Sequence, residues 1–129
     1  MKELYFAHPM DTYSTPLEEV LLEAIQNKFP DYHIENPNQE YHQEGCRRWQ
    51  EETSHGMSYF YKELLPKMDI LVLLAFEDNM IGAGVYGEAN KMVEMNKPIY
   101  EISRSGNIEK AVLDENRKLS IEETKKRVH

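Results

Sequence analysis

The sequence predicts an α/β domain built on a parallel sheet with helices on both faces. Two observations carry this. Short apolar or alternating runs take turns with stretches of helical periodicity. The most apolar run, DILVLLAF (Asp69 to Phe76), has no polar interruption after its first residue, as expected of a strand buried on both faces.

The elements follow in chain order. Glu3 to His8, ELYFAH, reads as a short buried strand, and the turn PMDTYST follows it. Thr15-Pro16-Leu17-Glu18 is a capping box with proline at the first helical position. Leu17, Val20, Leu21, Ala24 and Ile25 recur at three- and four-residue spacing, so a helix runs to about Phe29, where Pro30-Asp31 stops it. Tyr32 to Glu35 is a weak second strand, and Asn36 to Gly45 is a polar loop. Cys46 to Met68 has a helical pattern, with Trp49, Thr53, Met57, Phe60 and Leu64 on its apolar face. Asp69 begins the central strand. The acidic connector Glu77-Asp78-Asn79 leads to IGAGVYGE (Ile81 to Glu88) and the helical stretch ANKMVEMNK, which Lys97-Pro98 stops. Ile99 to Ile102 is a fourth strand, Ser103 to Gly106 a turn, and Ile108 to Leu113 a candidate short helix. Ser120-Ile121-Glu122-Glu123 is a second capping box, so a charged, lightly packed helix is expected over Ser120 to Val128. Strand order 2-1-3-4 is expected, with room for a fifth strand.

Composition narrows the function classes. With 129 residues, 40% of them hydrophobic, the chain suits one domain with a core. Net charge is −8, which disfavours nucleic acid as a partner but leaves room for a small phosphorylated ligand. The single cysteine, Cys46, excludes an internal disulfide and fits a reducing compartment. No apolar stretch approaches membrane-spanning length and the N-terminus carries no signal-peptide pattern, so a cytoplasmic protein without a membrane partner is expected. The five histidines and one cysteine show no metal spacing, and neither a metal nor a cofactor is expected. A bound flavin is disfavoured, because the first loop lacks a phosphate-cradling run.

In open parallel sheets, ligands bind beyond the carboxyl ends of the strands at the switch point. That rule selects His8 to Thr15, Asn36 to Gly45, and Glu77 to Glu88. Gly82, Gly84 and Gly87 are expected to allow positive φ or close approach to a ligand. A carboxylate in the first helical turn, Glu88, is expected to be held ionised by the helix dipole, as a nucleophile requires. The structural alternative is a tight strand-to-helix turn beside a surface acid. His8, Asp11, Ser14 and Tyr86 are candidate ligand contacts, while Thr15 reads as a cap. Glu77 and Asp78 are candidates for the acid that protonates a leaving group. Arg47, Arg48 and Trp49, and Tyr41 with His42, are further candidates to clamp a phosphate or stack on a base.

YFAHPM, MDILVLLAF and GVYGEANKMVEMNKPIY resemble three segments of the nucleoside 2-deoxyribosyltransferase-like family. The likeness spans about residues 3 to 102. It implies a flavodoxin-like fold and chemistry at an N-glycosidic bond. Glu88 matches the glutamate that attacks C1′, displaces the base and forms a glycosyl ester. The same fold includes nucleoside monophosphate hydrolases. Many relatives carry aspartates where this chain has Gly82 and Tyr61, and a motif glycine where it has Tyr86. A nucleoside or nucleotide is the implied ligand and a homo-oligomer the implied assembly. A ligand-binding module without turnover is the alternative function.

Overall fold

A computed structural model describes residues 2–37 and 64–128. The expected helix over Cys46 to Met68 lies almost wholly outside the described residues. So do Tyr41, His42, Cys46, Arg47, Arg48, Trp49 and Tyr61. The end of that stretch forms a short 3-10 turn, Leu65–Lys67.

Among the described residues, five strands make one mixed, mostly parallel sheet: β1 (Lys2–Ala7), β2 (Tyr32–Glu35), β3 (Ile70–Leu74), β4 (Ile99–Ile102) and β5 (Ile108–Lys110). Their order is β2-β1-β3-β4-β5. The β1–β2, β1–β3 and β3–β4 pairs are parallel, and β5 runs antiparallel to β4. β1 and β3 are therefore adjacent and internal, and every residue of β3 is buried. Asp69 fixes their register. Its Oδ2 accepts from the Glu3 N–H at 2.7 Å, and its own N–H donates to Glu3 O at 2.8 Å. Asp69 thus precedes β3 and ties its start to β1.

Helix α1 (Pro16–Lys28) starts after Thr15, whose Oγ1 accepts from the Glu18 N–H, but the reciprocal bond of a capping box is missing: the Thr15 N–H donates to Thr12 O and the Glu18 carboxylate turns to His8 and Ser14. Its Leu21 and Ile25 pack with Leu4, Phe6, Val72 and Leu74. The alternate strand residues Tyr5, Ala7, Leu71 and Leu73 pack instead with Val85, Ala89 and Met92 of α2 (Ala83–Glu94). The two-residue period of a strand thus sends successive β1 side chains into two separate clusters.

The segment after β4 departs from the helix expected over Ile108 to Leu113. It is β5. The Ser103 N–H donates to Asn107 O at 2.8 Å, and Gly106 takes φ +93°, so the chain reverses at once. The free edge of β4 then satisfies Ile108–Lys110, which outweighs a marginal helix of under two turns. A final helix, α3 (Ile121–Val128), opens with a reciprocal capping box between Ser120 and Glu123, both bonds 3.1 Å. It buries no residue of its own. Just before it, Ile81 bridges to the Arg117–Leu119 segment, and Leu119 is buried. Among the described residues, no helix is long and apolar enough to cross a membrane.

Candidate functional site

Glu88 is the sixth residue of α2, in its second turn, on the stripe shared by Val85, Ala89 and Met92. That stripe faces the sheet, so Glu88 is only 6% exposed. Its one hydrogen bond among the described residues comes from the Tyr5 hydroxyl of β1, which donates to Oε2 at 2.5 Å. No cation pairs with it among the described residues. Burial disfavours the carboxylate more than the Tyr5 hydrogen bond favours it, and the pKa is pushed up from 4.5 to about 7. The expectation of a first-turn acid held ionised by the dipole is therefore corrected. The dipole acts within the first turn, and Glu88 lies beyond it under a desolvating roof.

The glycines also serve differently from expectation. Gly82 is the N-cap of α2 with φ −59°, and Gly84 and Gly87 lie inside the helix; none of the three needs positive φ. Gly82 is required by close packing. A Cβ there would sit 3.2 Å from Thr124 Cγ2 and 3.4 Å from Phe76 Cε2. The Thr124 hydroxyl in α3 accepts from the Ala83 N–H at 2.9 Å. The first free N–H of α2, in a segment that the switch-point rule selects for a ligand, is thus taken by helix α3. That helix touches both α2 and the 3-10 turn at Met10–Thr12, the two segments expected to flank a ligand.

His8 is buried in a different pocket. Nδ1 lies 2.9 Å from Phe6 O and Nε2 lies 2.7 Å from Glu18 Oε2. A carbonyl can only accept, so Nδ1 carries a proton, and one further proton must lie between Nε2 and the carboxylate. The ring stacks on Phe6 at 4.1 Å and leans on Tyr13 at 4.8 Å. Burial holds the His8 pKa below its usual 6.5, outweighing the lift from Glu18. Glu18 Oε1 accepts from the Ser14 N–H at 3.3 Å, which holds Ser14 at φ +60°. Glu18 belongs to α1 and Phe6 to the α1 cluster, whereas Tyr5 and Glu88 meet on the α2 side. His8 and Glu88 are thus not joined by a contact.

The remaining candidates scatter. Asp11 and Ser14 are exposed on the first loop, and Asp11 Oδ1 accepts from Thr12 Oγ1. Tyr86 is buried in the α2 cluster with Lys118 Nζ 5.2 Å from its ring. Asp78 forms a two-bond pair with Arg127 of α3, at 2.9 and 2.8 Å, which holds its carboxyl below the usual carboxylate range. A leaving-group acid must carry a proton, so this geometry argues against Asp78. Glu77 is exposed at the end of β3. Glu3, His33 and Glu35 are the one group of potential metal ligands close together among the described residues, within 4.8 Å. His33 is satisfied there by Glu3 at 2.8 Å, whose hydrogen bond raises its pKa.

Sequence reading missed Tyr5, Glu18 and Thr124 as parts of these pockets. The alternation of β1 placed Tyr5 opposite Phe6, but which face would meet Glu88 depended on packing. Among known proteins, no family model, no curated protein and no solved structure matches the chain.

Proposed function

We propose that the chain has a three-layer, flavodoxin-like architecture of the nucleoside 2-deoxyribosyltransferase-like kind and cleaves or transfers at the N-glycosidic bond of a nucleoside or nucleoside monophosphate. The carrying observation is Glu88, a buried carboxyl without a cation, held by one tyrosine hydroxyl and poised near pH 7. Burying a carboxylate this way is costly, and perturbed acids of this kind concentrate where chemistry is done. The strand order and the position of Glu88 on the helix after β3 agree with the motif resemblance.

In the reaction, an ionised Glu88 oxygen attacks C1′. The C1′–N bond breaks, its electron pair stays on the base, and the base nitrogen takes a proton from solvent. Water or a second base then attacks C1′ of the ester and regenerates the carboxylate. Tyr5 orients Glu88 and lowers the cost of its charge. A homo-oligomer belongs to this reading as the family resemblance implies.

The second reading is a ligand-binding module without turnover. Gly82 and Tyr61 favour it, because many members of the resembled family carry aspartates at those positions. A panel of nucleosides and monophosphates assayed for free base decides between the two. Release of one base, lost in Glu88→Gln, supports the enzyme. Tight binding of a panel member without release supports the module.

A further inference from the structure

A cleft of about 710 Å³ opens beyond the carboxyl ends of β3 and β4, beside β5. Neither Glu88 nor Tyr5 lines it. Two arginines do, and they differ. Arg117 is fully engaged: Nη1 and Nη2 donate to the two oxygens of Glu101 at 2.9 and 2.6 Å, and Nε donates to Asn79 O at 2.8 Å. Arg104 makes one long bond, from Nη2 to Ala75 O at 3.3 Å. Its Nε is sealed from solvent with no acceptor, and among the described residues no carboxylate pairs with it.

The guanidinium is half-buried with one long internal bond, so its exposed edge is left for an acceptor from outside the chain. Its planar fork matches two oxygens of one carboxylate or phosphate. Lys110 adds a second cation to the lining, and the hairpin turn at Ser103 and Asn107 adds polar groups. Glu77 and Glu109 also line the cleft, which disfavours a bare polyanion and suits an anionic head on a body that donates hydrogen bonds. We propose that the cleft beside β4 and β5 is a second ligand site, in which Arg104 holds the carboxylate or phosphate head of a small molecule.

The test is an NMR titration of the full chain with acetate and, separately, inorganic phosphate. The Arg104 Nε–H signal and the backbone amides of Ser103, Arg104 and Asn107 should shift saturably with at least one anion. The responding anion identifies the head group. Arg104→Gln, which can still donate to Ala75 O, should bind about tenfold more weakly or worse, and Arg104→Lys should fall between. Glu88→Gln should titrate as the parent does, so failure of the Glu88 reading leaves this one standing. Unmoved Arg104 Nε–H and hairpin amides with both anions would overturn the proposal, and the unaltered chain suffices for that reading. So would equal affinity in a folded Arg104→Gln variant.

Discussion

Two buried glutamates lie on either side of β1, and their surroundings make them different groups. Glu18 meets an imidazole, a backbone N–H and the start of its own helix. Glu88 meets one phenolic hydroxyl and an apolar roof. A carboxyl that shares a proton with a histidine and caps a turn is a fastener for the first loop. A carboxyl given one neutral donor is left with its desolvation largely uncompensated, and the proton becomes movable near pH 7. Burial alone does not mark a functional acid; what distinguishes Glu88 is burial without a matching partner.

The sharpest way to break this contrast is Glu88→Gln. Base release from a validated substrate should fall by about two orders of magnitude or more, with ligand affinity little changed. Stability should move the other way. A pKa raised from 4.5 to about 7 means that the folded chain keeps a proton the unfolded chain releases. Wild-type stability therefore falls as pH rises from about 4.5 through about 7. Glu88→Gln lacks that loss and should be more stable by up to about 3 kcal/mol at alkaline pH, with little difference below the unfolded pKa. Urea unfolding across this pH range checks it; parallel curves for the two proteins would refute the buried, protonated acid. In the active protein, base release should rise with pH through about 7 as the nucleophile ionises.

On the other face, His8→Phe keeps the ring against Phe6 but strips Glu18 of its main partner. It should cost about 2 kcal/mol in urea unfolding while leaving base release near the parent rate. A collapse of turnover comparable to Glu88→Gln would place His8 in the site after all. Tyr5→Phe acts on the Glu88 side. Losing the donor should lower base release by about tenfold and carry the pH–rate midpoint upward, since that bond favours the carboxylate. An unmoved midpoint would remove Tyr5 from the mechanism. The smallest effect is expected at the boundary of the Glu88 region. Thr124→Val frees the Ala83 N–H and should lower stability by about 1 kcal/mol in thermal or urea unfolding. If this also tightens nucleoside binding, the C-terminal helix competes with ligand for the helix start.

Local sequence determined the elements that carry local signals. Thr15 with Glu18 and Ser120 with Glu123 set two helix starts within four residues each; the reciprocal pair of bonds forms at Ser120 and Glu123, and the single cap bond forms at Thr15. The unbroken apolar run of β3 fixed its place inside the sheet, because such a strand has no face to give to water. Tyr32–Glu35 and Ile99–Ile102 appear with the bounds read from the sequence. Position in the chain could also rank Glu88 as the acid to watch. Only the tertiary structure decided its condition. Helix register put Glu88 one turn deeper than its glycine motif suggested, and strand alternation brought Tyr5 rather than His8 to it. It decided that Gly82 makes room for a helix more than forty residues later, and that Asp78 belongs to Arg127. It also turned Ile108–Lys110 into a strand, since an open β4 edge is a partner no local pattern reveals. Caps and apolar runs are satisfied by neighbours in sequence. Desolvation, edge pairing and close packing depend on segments that only folding brings together.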